Sequence, residues 1–173
     1  MARKKHVKGN AKAKEKFMQI FAEVRWQHRH DAEAQCEHFA ECGGCNLQEH
    51  SYGQQVDIKK QALERLIKET PGMSSLAKLE VEAISSPRDY KYRQRMDFIV
   101  TPEGSGQRRG DGKKGIVELT ECLLVEDENY AMYQKTLELS REFSLDAYNQ
   151  NDYSGYLRYI IIRRTRSGEQ LIS

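Results

Sequence analysis

Four cysteines are the side chains in this sequence best suited to chemistry. Three fall within ten residues, as Cys36-x5-Cys42-Gly43-Gly44-Cys45, and the fourth, Cys122, lies 77 residues beyond Cys45. Three clustered thiols plus one distant thiol is a common layout for an iron–sulfur cluster, because a cubane has four corners to ligate. Structural zinc more often takes its ligands as two close pairs, and His38 and His50 are the nitrogen donors nearest to hand. The two glycines suit either metal. A residue without a Cβ lets backbone pass close to a bulky group or adopt a positive φ, and its N–H can bond a sulfur. A free core cysteine explains any one position but poorly explains Cys-Gly-Gly-Cys. Disulfides are disfavoured, since nothing directs the chain to an oxidising compartment. On spacing alone, an iron–sulfur cluster, zinc and structural cysteines all stay open.

A second set of side chains is basic and aromatic. Arg93, Arg95, Arg108, Arg109, Lys113 and Lys114 fall on one strand and the glycine-rich loop after it, and such a row can line a phosphate track. Tyr90 and Tyr92 can stack on unpaired bases. Arg158, Arg164 and Arg166 share one face of a later strand as a second patch. The plainer reading puts the tyrosines on a buried sheet face and the charges on a solvated one. Charge is uneven along the chain: residues 1–30 carry nine Lys/Arg against two Asp/Glu, and residues 31–173 carry nineteen against twenty-four. A basic arm ahead of a mildly acidic body fits contact with a polyanion.

The elements that must position these groups read as follows. Residues 1–16 are lysine-rich with almost no large apolar side chains, which predicts disorder. Residues 17–26 fit a short helix or a strand. A cysteine/glycine loop covers 36–48. A helix is predicted over 52–69, with Tyr52, Val56, Leu63, Leu66 and Ile67 on its apolar face, ended by Thr70-Pro71-Gly72. Strands are predicted over 79–84, 90–100 and 116–124, the last two forming a hairpin with a long mobile basic loop. A helix over 127–143 carries Tyr130, Tyr133 and Leu137 on one stripe. A strand over 156–166 turns at Ser167-Gly168 into a partner strand that the sequence leaves unfinished, which suggests a piece of a longer protein. No apolar run approaches the ~20 residues of a membrane-spanning helix, and no secretory signal opens the chain.

Cys36-Glu37-His38-Phe39-Ala40-Glu41-Cys42-Gly43-Gly44-Cys45-Asn46-Leu47-Gln48 resembles the signature of the iron–sulfur RNA (uracil-C5)-methyltransferases. The likeness continues through Tyr52, Gln55, Lys59 and Leu63. Tyr92-Arg93-Gln94-Arg95-Met96-Asp97-Phe98 is similar to that family's Tyr-Arg-Asn-Lys strand, departing from it at Gln94 and Arg95. Gly115-Ile116-Val117-Glu118-Leu119-Thr120-Glu121-Cys122 resembles the segment with the fourth cluster cysteine, and Leu157-Arg158-Tyr159-Ile160-Ile161-Ile162-Arg163 the strand before the catalytic half. The resemblance spans about 36–173. The small basic β-barrel that often precedes the cysteines has little room in 35 residues. No Gly-rich strand–loop–helix fingerprint for S-adenosylmethionine is present.

The resemblance implies a [4Fe–4S] cluster on Cys36, Cys42, Cys45 and Cys122. It implies RNA contacts from Arg93, Arg95, Arg108, Arg109, Tyr92 and Arg158. It also implies a parent enzyme in which a thiolate adds to uracil C6 before methyl transfer and a base then removes the C5 proton. With all four cysteines committed to the cluster, no catalytic residue is assigned, and the chain alone is expected to be inert. S-adenosylmethionine is expected for the intact parent only. The expected fold is α/β of the α+β kind, a mainly antiparallel sheet with flanking helices and a cluster loop, with the S-adenosylmethionine Rossmann-like domain absent. Residues 1–30 are expected to be a disordered basic arm. Residues 31–173 are expected to be an iron–sulfur, RNA-positioning central domain cut before the catalytic one. The expected partner is rRNA or tRNA, with no membrane, for a monomer in the cytoplasm. A zinc-binding nucleic-acid module is the alternative. An electron-transfer protein is disfavoured because no site for a redox partner is evident.

Overall fold

A computed structural model of the chain describes residues 2–73 and 75–173, the stretch 2–13 by its backbone alone. They form two compact units. One runs through Glu33 and resumes over Glu49–Pro87; the other comprises Ala34–Gln48 and Arg88–Ser173.

In the first unit, α1 spans Ala2–Gln27, where the sequence suggested a disordered arm over 1–30. Ala, Lys and Glu are strong helix formers. Phe17, Ile20, Phe21 and Val24 recur at helical spacing, and extending a helix already nucleated by packing costs little. The basic side chains Arg3, Lys4, Lys5, Lys8 and Lys12 lie outside the described residues. Ile20 and Val24 are buried, as are Ile58 and Ala62 of α2, the helix over Tyr52–Glu69 that packs on α1. The buried face of α2 therefore centres on Ile58 and Ala62, whereas Leu63 of the expected face is 42% exposed. Thr70 ends α2, its Oγ1 donating to Leu66 O at 2.6 Å. Residues 79–84 form no strand, and Leu79 and Ile84 are exposed.

The second unit is a five-stranded sheet in the order β3-β2-β1-β4-β5, antiparallel throughout. Its strands are β1 (Arg95–Thr101), β2 (Gly104–Arg108), β3 (Ile116–Val117), β4 (Tyr159–Arg164) and β5 (Gln170–Ile172). The expected long-looped hairpin is instead a three-stranded meander, because part of the glycine-rich stretch is β2. Gly106 explains how: a Cβ there would lie 2.0 Å from Val117 O, so the missing side chain lets β2 sit tight against β3. Alternation along β1 buries Met96, Phe98 and Val100. On that face lie Ile160 and Ile162 of β4, Leu124, Val125, and Tyr130 and Tyr133 of α3, the helix over Asp127–Glu142. Phe98 stacks on Tyr133 with ring centroids 3.7 Å apart. Tyr133 Oη donates to Ser105 Oγ at 2.9 Å, and Tyr130 Oη donates to Leu119 O. Tyr90 and Tyr92 precede β1 and do not share its buried face.

Phe98 is fully buried at the centre of this core. Phe98→Ala is expected to cost about 3–5 kcal/mol, read as a fall in the midpoint of urea unfolding. A loss under about 1 kcal/mol would show that the ring is not the centre of packing.

Candidate metal centre

The segment 36–45 folds back on itself by local backbone bonds. Phe39 N donates to Cys36 O at 3.0 Å and Cys42 N to His38 O at 2.9 Å, with Ala40 between them at φ 72°. The loop then docks on the end of β2. Gly43 N donates to Arg108 O at 2.9 Å and Gly110 N to Glu41 O at 2.7 Å, framing an antiparallel bridge between Cys42 and Arg109. This contact is backbone on backbone. A Cβ on Gly110 would lie 2.7 Å from Gly43 Cα, and one on Gly43 would lie 3.1 Å from Arg108 O. Neither Gly43 nor Gly44 has a positive φ, so close approach, not turn conformation, accounts for the pair. Gly44 N also donates to Cys42 Sγ at 3.4 Å.

Docking brings Cys36, Cys42, Cys45 and Cys122 to the wall of one small cavity. Phe39, Met96, Leu119 and Leu124 supply its apolar lining. All four thiols are free. Burial pushes the Cys36 and Cys45 thiols up, and that of Cys122 to about 11. Each of these three also feels the negative charge of other cysteines of the set, while the Arg93 guanidinium pulls Cys45 the other way. Buried Gln48 closes one side. Its Oε1 accepts from Cys36 N at 3.1 Å and from Tyr90 Oη at 3.4 Å. Its Nε2 is buried without an acceptor among the described residues, beside Cys45. Burial raises Tyr90, with help from Asp89, Cys45 and Cys36. His38 Nε2 accepts from Thr120 N at 2.9 Å and is thereby occupied. His50 belongs to the other unit. Sequence reasoning missed the roles of Gln48 and Gly110, although Gln48 closes the cysteine motif.

The residues named for RNA contact separate into two groups. Arg93 Nη2 donates to Gly44 O at 3.4 Å, so this side chain faces the cysteine loop. Arg95 is bound through Nε and Nη2 to Asp97, at 2.6 Å each. Arg109 holds Asp111, at 3.1 and 2.6 Å, keeping that carboxyl well below its usual range, and also reaches Glu41 at 3.4 Å. Tyr92 is half exposed. Arg108 and Arg158, by contrast, both line one surface depression of about 330 Å³ with Tyr148, Tyr159 and Asn149–Asn151. Arg158 lies over the Tyr148 ring, 3.5 Å from its centroid, and Arg108 has no ion pair among the described residues. The polar run Tyr148-Asn149-Gln150-Asn151 was the overlooked signal for this depression.

No family model matches the chain. It is similar to an uncharacterized RNA methyltransferase of Caldanaerobacter subterraneus subsp. tengcongensis, at 32% identity over 83% of the chain and 32% of that protein. It is also similar to the tRNA (uracil(54)-C(5))-methyltransferase of Pyrococcus horikoshii, at 31% identity over 81% and 32% respectively. For the 23S rRNA (uracil(747)-C(5))-methyltransferase of Pyrococcus furiosus the values are 27%, 80% and 31%. Among solved structures, it resembles the Pyrococcus abyssi tRNA (uracil-54, C5)-methyltransferase in complex with S-adenosyl-L-homocysteine. That match has a TM-score of 0.60 and 28% identity over 76% of this chain and 30% of the other. The chain spans about a third of the length of the curated relatives it matches. These homologues include RNA (uracil-C5)-methyltransferases of tRNA and rRNA. One expectation is corrected. The sequence reading set this fold apart by the absence of an S-adenosylmethionine fold, yet its structural neighbour is a methyltransferase solved with S-adenosyl-L-homocysteine. The antiparallel sheet with its helices is therefore similar in fold to part of an enzyme solved with S-adenosyl-L-homocysteine.

The raised Cys122 value has a checkable consequence in the metal-free chain. At pH 8 a thiol titrating at about 11 is thiolate in roughly one part per thousand, so Cys122 should be among the slowest cysteines to alkylate with iodoacetamide. Its folded value lies above its ordinary one, so the stability it contributes is present below pH 9 and is lost as pH rises toward 11. Mass spectrometry of alkylated peptides across pH 7–11 reads the first effect and thermal melting the second. Fast alkylation of Cys122 at pH 8 would contradict the burial.

Proposed function

We propose that this chain supplies the cluster-binding and RNA-positioning part of an S-adenosylmethionine-dependent RNA (uracil-C5)-methyltransferase acting on tRNA or rRNA, with Cys36, Cys42, Cys45 and Cys122 as ligands of a [4Fe–4S] cluster. The observation that carries it is the meeting of four free thiols at one apolar cavity, in a chain whose relatives methylate uracil C5 in RNA. The donor set fits the cluster on two counts. Tetrahedral zinc with Zn–S bonds of ~2.3 Å would bring its sulfurs within about 3.8 Å of one another. Yet the only group of three metal-ligating side chains with donor atoms all within 4.8 Å, among the described residues, is not made of cysteines. A cubane is larger and holds its corner thiolates further apart. Buried Gln48 Nε2 and Gly44 N are donors of the kind that bond cluster sulfurs. Loading must widen the cavity, about 20 Å³ as it stands.

When bound, the cluster would supply a four-point cross-link and a local negative charge. Ligation exchanges thiol protons for metal and ties the loop to Cys122, offsetting the closure entropy of the intervening chain. Arg93, bonded to Gly44 O and near enough to act on the Cys45 thiol, balances part of that charge. The depression lined by Arg108, Arg158, Tyr148 and Tyr159 holds the RNA: the guanidiniums take phosphates, while the tyrosine rings stack on unpaired bases. S-adenosylmethionine is the methyl donor of the whole protein, a reading supported by the complex of the Pyrococcus abyssi enzyme. The protein works as a monomer in a reducing compartment such as the cytoplasm, where free thiols persist.

Cys122→Ala should lose most of its iron after anaerobic purification and bind a uridine-containing RNA loop more weakly. Full iron content and unchanged affinity in that variant would remove Cys122 from the ligand set. Arg158→Ala should weaken RNA binding several-fold and flatten its dependence on log salt by about one unit. Arg95→Ala, whose guanidinium is already held by Asp97, should change both far less. Equal effects from the two variants, read by fluorescence anisotropy at several salt concentrations, would reject the depression as the RNA cradle.

A further inference from the structure

The first unit carries a second constellation that the cysteine centre does not use. His30, Glu49 and His50 each offer one ligand atom, and the three atoms all lie within 4.8 Å of one another. His50 is 1% exposed and Glu49 8%. Yet His50 Nε2 and Glu49 Oε2 are buried with no hydrogen-bond partner among the described residues. A native fold seldom leaves such atoms orphaned without a ligand or ion to satisfy them.

The surroundings orient these atoms. His50 Nδ1 sits against Gln54 Oε1, an acceptor, so the ring proton belongs on Nδ1 and the lone pair on Nε2. Arg25 Nη2 donates to Glu49 Oε1, the oxygen that also lies 3.7 Å from His50 Nε2 and 4.0 Å from His30 Nε2, while Oε2 accepts no hydrogen bond among the described residues. Backbone holds the two segments together: Asp31 N and Ala32 N both donate to Glu49 O at 3.2 Å. Ser51 N and Ser51 Oγ both donate to the Asp31 carboxylate at 2.6 Å, and Gln55 Nε2 donates to His50 O at 2.9 Å. The His30 ring meets that of His50 edge-on, with centroids 5.2 Å apart. Its side chain is 68% exposed, which leaves the His30 side of the group open to water.

We propose that His30, Glu49 and His50 form a divalent transition-metal site, separate from the four cysteines. Two imidazole nitrogens and one carboxylate oxygen, with one side open to water, is a donor set that Zn²⁺ takes with a water as fourth ligand. Softer, thiolate-seeking ions have no reason to choose it over the cysteines. A carbonyl or carboxylate oxygen on the outer imidazole nitrogen is the usual support of a ligating histidine, and Gln54 fills that role here. Arg25 fixes the carboxylate.

The test is a calorimetric titration of Zn²⁺ into the anaerobically purified chain, its His30→Ala variant and its Glu49→Gln variant. Because any thiols left without a cluster can also take zinc, the decisive quantity is the difference between variants. The unaltered chain should bind one more equivalent than His30→Ala, and Glu49→Gln should weaken that equivalent at least tenfold. His30 is exposed, so His30→Ala should melt with the unaltered chain when metal is withheld, and should lose the rise in melting temperature that zinc gives the unaltered chain. Co²⁺ bound at this equivalent should show d–d absorption without thiolate charge-transfer bands. Identical stoichiometry and affinity in all three proteins, or thiolate bands on every equivalent bound, would overturn the proposal.

Discussion

The second unit depends on one contact between backbones. Two hydrogen bonds, Gly43 N to Arg108 O and Gly110 N to Glu41 O, hold the cysteine loop on the end of β2 where no side chain could fit between them. Three cysteines ride on that loop, and the fourth lies five residues beyond the end of β3. The sheet's register therefore sets the thiol positions: Arg108 pairs with Ile116, so the strand that receives the loop also aims the segment that ends at Cys122. The core formed by Phe98, Tyr130 and Tyr133 keeps β1 and α3 fixed beneath it, and Tyr130 ties α3 to Leu119, three residues before Cys122.

The electrostatics of the thiols follow from the same geometry. Burial raises Cys36, Cys45 and Cys122, so in the metal-free pocket these three thiols are held neutral, and mutual repulsion keeps them from ionising together. A metal reverses that preference by drawing out the protons. One positive side chain, Arg93, is positioned to temper the resulting charge. That placement sets Arg93 against the cysteine loop, while Arg108 and Arg158 are exposed and line one depression.

Part of this was legible in residues. The bounds of α2 follow from its amphipathic run and the Thr70-Pro71-Gly72 stop, and the cysteine motif singled out the four thiols that line one cavity. Other features were hidden for physical reasons. Glycine has low strand propensity, so Gly104–Arg108 read as a loop, although Gly106 is what allows β2 to approach Val117. The buried face of α2 could not be chosen without its partner, and that partner, α1, began in a stretch whose composition reads as disorder. Arg95 and Arg109 looked available for phosphate because an ion pair to Asp97 or Asp111, two residues on, is one of several rotamers a sequence permits. His30 and Glu49 are nineteen residues apart, brought together by the bonds of Asp31 and Ala32 to Glu49 O and of Ser51 to Asp31, and no short motif marks such a pairing.

The account's central claim is that Cys36, Cys42, Cys45 and Cys122 together hold a cubane cluster. Acid-labile sulfide, measured with iron and zinc on the chain purified without oxygen, tests it most directly, since sulfide distinguishes a cluster from any single ion on the same thiols. The account predicts about four sulfides and four irons per chain. One tightly bound zinc per chain, with neither iron nor sulfide, would contradict it.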